Sequence, residues 1–217
     1  MYASASWAYA LSRNKNARVI DQIHCRRLIC YGRLYRTVSY LPAAAICGKM
    51  PLKYLICRRA ILFAHRKKTE LPVGELLLES NVADSLADDL FREALEAWQP
   101  EWENCSKGAW TKLLFPFVKM DRPPPFFWSA QGTSGHGVYR EYLYRFKRSD
   151  NASCPCGKDE ESPLHVFTSC ERHSNERPSL PLNGNDPGTR RYLTDTVCKL
   201  WEEEKKRTQQ STSQRDS

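Results

Sequence analysis

Residues 154–170, CPCGKDEESPLHVFTSC, gather three of the chain's nine cysteines and one of its five histidines into a single short stretch. The spacing Cys154-x-Cys156-x8-His165-x4-Cys170 offers three thiolates and an imidazole, a donor set that Zn²⁺ takes in tetrahedral sites. Gly157 follows the second cysteine directly, where a knuckle turns its backbone N–H groups toward sulfur and the absence of a Cβ tolerates the tight path. Pro155 stiffens the space between the first two thiols. His165 and Cys170, with four residues between them, are expected to be brought together by a short helix. A single residue between the first two cysteines is narrower than the usual two to four, so chance clustering is the competing reading, and His173 is a substitute ligand. Four protein ligands leave no position for water or substrate, so the cofactor expected is a structural Zn²⁺ and no catalytic residue is assigned. Leu164, Val166 and Phe167 are the main apolar side chains nearby, and the loop is expected to fold only around its metal.

The elements that must position this loop come from a chain of 217 residues, long enough for one full-sized domain and a smaller appendage. Its formal charge of +8 is unevenly placed: residues 1–68 carry +13, residues 75–104 carry −8 and residues 107–148 carry +6. Two basic blocks with aromatics among them suit a polyanion, because Lys and Arg on phosphates release condensed counterions. Solvated helix faces would give the same runs. No secretory signal is legible, and the best membrane candidate, YLICRRAILFA, is broken by Arg58 and Arg59. The expectation is an intracellular chain with reduced thiols, and Cys25, Cys30, Cys47, Cys57, Cys105 and Cys198 read as small buried hydrophobes.

Periodicity predicts a mainly α fold. Ala17 to Tyr35 reads as a helix with Val19, Ile20, Ile23, Leu28 and Ile29 as its apolar positions. Ser39 can cap a second helix through Ile46, with Gly48 past its end, and a third starts near Pro51. From Asp84 to Trp102 the residues Leu86, Leu90, Ala94, Leu95, Trp98 and Trp102 recur at helical steps, and Ser85 with Asp88 forms a weak capping box. KMDRPPPFFW reads as a stiff extended connector. A further helix is expected over about Gly137 to Lys147, and the tail beyond Trp201 reads as frayed or disordered. The domain reading is a helical region over 1–120, connector and basic helix over 121–148, the knuckle over 149–177 and a partly disordered tail over 178–217.

YRTVSYLPAAAICGKMPL, QGTSGHGVYREYLYRF and the Cys-Cys-His-Cys stretch occur in that order. Together they resemble the carboxy-terminal part of the Pol polyprotein, a reverse transcriptase, of type-1 non-LTR retrotransposons that insert into ribosomal DNA. In that family a polymerase palm is followed by a helical thumb-like region, an arginine–threonine–valine–serine stretch, a glycine–histidine–glycine motif and a knuckle of this spacing. The resemblance places Arg36, Thr37, Val38 and Ser39 on the first motif and Gly135, His136 and Gly137 on the second, with Ser134 where threonine is usual. It implies Cys154, Cys156, His165 and Cys170 as zinc ligands. The polymerase box of paired carboxylates is not found; Leu86-Ala87-Asp88-Asp89 imitates it, yet lacks the aromatic and falls within a helix. The endonuclease is likewise absent from these 217 residues, so the chain looks like a fragment of a larger enzyme.

The implied function is nucleic-acid binding during target-primed reverse transcription, in the nucleus at the site of integration. The partners would be element RNA or target DNA and the upstream reverse transcriptase domain, with no membrane. Arg140, Tyr144, Lys147 and Arg148 fall on one side of the helix after Gly137, with His136 at its start, and make one candidate surface. Arg26, Arg27, Arg33 and Arg36 on or after the first helix make the other. Both also read as solvated cationic faces, and His136 also reads as a turn residue. The alternative function is a host-retained or decayed copy serving as a zinc-containing protein-interaction module without catalysis.

Overall fold

A computed structural model describes residues 8, 10, 11, 13–67 and 86–213. Helix α1 spans Asn14–Gly32, α2 Tyr40–Cys47, α3 Leu52–Lys67 and α4 Leu86–Glu103. After these come α5 (Ala109–Leu114), α6 (Phe127–Ser134), α7 (Arg140–Arg145), α8 (Pro163–Thr168), a 3₁₀ turn (Glu171–Glu176) and α9 (Pro187–Ser213). Among the described residues the β structure amounts to one antiparallel bridge between Ser153 and Glu160, so the fold is all-helical.

The first four helices follow the apolar periodicity. Leu90, Ala94, Trp98 and Trp102 line the buried stripe of α4, and the Trp102 indole donates to the Phe115 carbonyl at 2.8 Å. Asp84 and Ser85, and with them the capping box, lie outside the described residues. On α1 the stripe is narrower than expected, for Ile20 and Leu28 are buried while Val19 and Ile23 are exposed. Helix α2 is buried from Pro42 to Cys47 and packs against α1, α4, α5 and α6, so its small alanines set how closely four neighbours approach. Ser39 stands at its N-cap without a side-chain cap bond, and Gly48, with φ of 58°, ends it. Of the lone cysteines, Cys47 and Cys57 are buried, whereas Cys30 is exposed.

Sequence periodicity did not reveal α6, and it read the chain after the knuckle as a partly disordered tail. Residues 187–213 form one helix, and the tail is helical past Trp201 as far as Ser213. Its Tyr192, Leu193, Val197 and Leu200 are core residues. Helix α6 packs along it: a Cβ on Gly132 would stand 2.9 Å from the Leu193 Cβ, and the Trp128 and Trp201 rings lie 5.6 Å apart. The sequence of α6, FWSAQGTS, is poor in helix formers. Its helix is secured by burial of Ser129 through Ser134 and by local bonds, with Thr133 Oγ1 donating to the Ser129 carbonyl at 2.8 Å. Between α5 and α6 the proline run carries no regular secondary structure, and Phe126 directly after it is extended at φ of −71° and ψ of 162°.

A polar network holds α1 to α2 and α3 to α4. Tyr40 lies with its hydroxyl 2.9 Å from His24 Nδ1, accepts from the Leu52 N–H at 3.2 Å and has the Asp21 carboxylate beside it. Tyr54 donates to Glu101, and Lys53 pairs with the same carboxylate at 2.6 Å. Burial, and after it the Arg27 guanidinium, hold His24 down from its ordinary 6.5 to about 4. The unfolded chain therefore binds a proton here that the folded chain refuses, and the stability contributed is lost as pH falls from 6.5 toward 4. Urea denaturation at pH 7.5 and pH 5 should show a larger loss for the native chain than for His24→Gln. Equal losses in the two proteins would contradict this assignment.

Candidate metal centre and nucleic-acid interface

The four predicted ligands meet. Sγ of Cys154, Cys156 and Cys170 and a ring nitrogen of His165 all lie within 4.8 Å of one another, so the group could hold a metal ion. The local chain explains how. Cys154 begins a turn in which the Gly157 N–H donates to the Cys154 carbonyl at 2.9 Å, and Gly157 adopts φ of 77°, a left-handed conformation that disfavours a side chain. The turn is pinned by the Ser153–Glu160 bridge and by the Cys154 N–H on the Asp159 carbonyl at 2.8 Å. Ser162 caps α8 by accepting from the His165 N–H. Cys170 lies just beyond that helix, its N–H on the His165 carbonyl at 2.8 Å, so the last two ligands come from a helix and the turn closing it.

Cys154 and Cys170 sulfurs stand 3.7 Å apart, and Cys156 Sγ stands 3.1 Å from His165 Nε2. Two thiolates on one tetrahedral ion with bonds of about 2.3 Å would be roughly 3.8 Å apart, so the first distance suits shared coordination. His165 Nδ1 faces Ser169 Oγ at 3.2 Å, a partner that fixes which ring nitrogen turns to the sulfurs. The Lys158 backbone N–H, the largest influence on Cys156, helps hold that thiol down to about 6. Burial pushes the Cys154 thiol up to about 12. His173 is buried in the 3₁₀ turn and does not belong to the group of four.

The loop does not stand apart from the helices. Val166 and Phe167 are fully buried in the main core. The Phe167 ring lies 5.3 Å from Trp110, 6.0 Å from Tyr139 and 5.8 Å from Tyr192. Glu161, which the sequence did not single out, ties the loop to α7: 1 % exposed, it accepts from the Arg140 N–H at 3.3 Å and lies 3.5 Å from Arg172. Arg172 passes the contact to Glu203 of α9 at 2.5 Å. Burial raises the Glu161 carboxyl, with the Arg140 charge acting against it.

The glycine–histidine–glycine motif acquires a packing role. Gly135 ends α6 at φ of 69°, and a Cβ there would come within 3.0 Å of Pro163 in the metal loop and of Trp110. A Cβ on Gly137 would stand 2.0 Å from the Gln131 side-chain oxygen. His136 is held by its Nδ1 on the Ser134 carbonyl at 2.8 Å and packs edge-on against Tyr142 at 5.2 Å. Tyr142 also bonds Thr37, 105 positions away, through its hydroxyl at 2.7 Å, so one tyrosine joins the two motifs. Burial lowers the His136 pKa.

The proposed nucleic-acid residues separate. Helix α7 is shorter than expected, and Arg140 is drawn into the loop, its guanidinium donating to the Ser153 carbonyl at 3.1 Å. Tyr144, Lys147 and Arg148 are exposed, but Lys147, at φ of 55°, and Arg148 lie past the helix end, so helical spacing does not relate them. Arg145, not singled out by sequence, lies over both the Tyr142 and Phe146 rings at 5.3 and 5.2 Å. Arg26 and Arg27 are exposed on α1, Arg33 caps its end at φ of 51°, and Arg36 is exposed beside Thr37. Asp88 and Asp89 occupy the first turn of α4, where Asp89 pairs with Arg92 at 3.2 Å. Among the described residues no helix is long and apolar enough to cross a membrane.

No protein-family model matches the chain, and no solved structure matches it significantly. Among curated proteins it is 28 % identical over 193 residues to "Retrovirus-related Pol polyprotein from type-1 retrotransposable element R1 4" of Nasonia vitripennis, covering 84 % of this chain and 48 % of that protein. A second Nasonia vitripennis protein of that description, R1 2, is 25 % identical over 190 residues, covering 81 % of this chain and 45 % of its own length. The R1 polyprotein of Popillia japonica is 32 % identical over 116 residues, covering 52 % of this chain and 46 % of that protein. The chain spans about half the length of the curated relatives it matches. Over most of its length, the chain is homologous to Pol polyproteins of type-1 retrotransposable elements R1.

Proposed function

We propose that this chain is a nucleic-acid-binding segment of an R1-type Pol polyprotein. In this reading it carries one structural Zn²⁺ on Cys154, Cys156, His165 and Cys170, and engages element RNA or target DNA during target-primed reverse transcription in the nucleus. Polymerase and endonuclease chemistry belongs to the rest of the polyprotein, whose upstream reverse transcriptase is the expected partner.

The observation that carries the reading is the surface where the two motifs meet. Tyr144 and Phe146 stand exposed there, at 53 % and 45 %, among Arg36, Arg145, Lys147 and Arg148. None of these four cations has a carboxylate within ion-pair distance among the described residues. The exposed Tyr144 ring offers a stacking face for an unpaired base, Arg145 lies against the Phe146 ring, and cations without carboxylate partners offer phosphates a place to displace counterions. The sequence independence of both interactions suits a protein that must hold whatever strand is being copied.

Zinc is favoured by the donor set and by closure of the site: three sulfurs and one imidazole, with Ser169 orienting the ring. The bound ion would supply no chemistry beyond coordination, which fixes the turn and α8 in one arrangement. Three thiolates around a divalent ion leave a net negative charge, and Arg172, held between Glu161 and Glu203, is the nearby cation that interacts with Cys154.

Two measurements test the reading. Oligonucleotide binding measured against salt should give a slope of log K on log salt that is smaller by about 2 in Arg145→Ala/Arg148→Ala, and Phe146→Ala should cost about 1 kcal/mol or more. A chain that binds a protein partner with no steep salt dependence, and no oligonucleotide, would instead support the interaction-module reading. For the metal, the purified chain should hold zinc in equal molar amount and Cys170→Ser should lose it. Because Phe167 packs on Trp110, chelation should also change the near-ultraviolet circular dichroism of the core. A chain without stoichiometric zinc would refute the assignment.

A further inference from the structure

A cavity of about 600 Å³ lies between the end of α1, the proline run and the first turns of α9, within the roughly 300–1,000 Å³ typical of ligand pockets. It is separate from the metal loop, and its lining combines apolar side chains and the hydroxyl residues Ser129, Thr133 and Thr194 with an excess of guanidinium groups. Arg33, Arg122, Arg190 and Arg191 all contribute to it, against Asp195 as the single acid. Arg191 is spoken for, its Nε lying 3.6 Å from Asp195. The side chains of Arg33 and Arg190 have no ion-pair or hydrogen-bond partner among the described residues.

Arg122 makes the charge imbalance acute. It is 7 % exposed, and each of its acceptors is neutral: Asn185 Oδ1 at 2.8 Å, the Ala45 carbonyl at 2.5 Å, and the Lys119 and Phe117 carbonyls at 3.1 Å each. Its guanidinium lies over the Phe115 ring at 4.6 Å. Burial pushes its pKa down to about 10, the direction expected for a cation lacking a counterion. Burying a charge is expensive unless an opposite charge or strong hydrogen bonds offset it. An anion in the adjoining cavity would supply what the fold omits. The rest of the lining selects which anion: Phe126, 73 % exposed, borders the same cavity, as does Tyr31, whose ring already has Lys49 Nζ over it at 5.5 Å, and an exposed aromatic ring favours a flat base.

We propose that this cavity receives one nucleotide of a single-stranded nucleic acid, its phosphate neutralised by Arg33 and Arg190 and its base stacked on Phe126. The inference rests on the reading of the chain as a nucleic-acid binder and adds a specific seat for one residue of the strand, on a different set of side chains.

The test uses the full zinc-loaded chain with adenosine 5′-monophosphate, adenosine and inorganic phosphate as probes, followed by ligand-detected NMR. Adenosine monophosphate should bind saturably and more tightly than either of the others. Arg33→Ala/Arg190→Ala should weaken it by about tenfold or more, as loss of charge-assisted phosphate contacts implies. Phe126→Ala should narrow the preference over inorganic phosphate. Circular dichroism should show the native helical signal in variants of the exposed Arg33 and Phe126 and of the half-buried Arg190, and Arg190→Gln provides a milder second variant whose affinity should fall between those of the native chain and the double variant. Absence of saturable binding, an unchanged affinity in the double variant, or inorganic phosphate binding as tightly as the nucleotide would each overturn the proposal. The salt slope of oligonucleotide binding and its response to Arg145→Ala/Arg148→Ala are read separately. A failed cavity with that response intact condemns only the seat, and the reverse result condemns only the motif surface.

Discussion

The burial of the Phe167 ring is the contact on which the arrangement depends. It lies among Trp110 of α5, Tyr139 before α7 and Tyr192 of α9, and the residue itself belongs to the helix that carries His165. Four segments far apart in sequence thus share one aromatic centre, and aromatic pairs of this kind add to the gain from burial alone. The metal loop is short of apolar residues only when considered in isolation. Its two best ones are spent on the body of the protein, so the geometry of the sulfurs and the packing of the helices are one problem with one solution.

The early helices and the ligand set were legible because each rests on a local rule. Helix α4 follows from an apolar residue at every third or fourth position, and the four ligands follow from donor chemistry and spacing. Helix α6 was hidden because its residues are small and polar, and they are helical for reasons supplied by α9 and by Trp110, whose indole donates to the Gly132 carbonyl at 2.7 Å. The packed part of α9 was hidden by the polar sequence that follows it. Arg140 could not be placed either: helical spacing put it with Tyr144, but the buried Glu161 draws it to the loop, and nothing in a one-dimensional pattern announces that pairing.

The two motifs with no chemical role in the sequence prove to be structural neighbours. Thr37 meets Tyr142, Tyr142 packs on His136, and the glycines on either side of His136 leave space for Pro163 and for the Gln131 amide. Their order along the chain made them recognisable, and their contact in space gives a physical reason for the residue types. Small residues are needed where backbone approaches side chain, and a hydroxyl is needed where a tyrosine ends.

Three successive prolines ordinarily suggest a spacer that keeps two bodies at a distance while letting them swing. Here the residue just before them, Arg122, is anchored through its guanidinium to carbonyls at Ala45, Phe117 and Lys119 and to the Asn185 amide. Asp121 is fastened as well, its N–H on the Gly48 carbonyl at 3.0 Å. The run therefore works as a strut bolted at its root, not as a tether. Reorienting the metal loop against α1 to α4 would require tearing a buried cation from its cage, so a strand held at one end of the molecule would be carried as rigid cargo with the other.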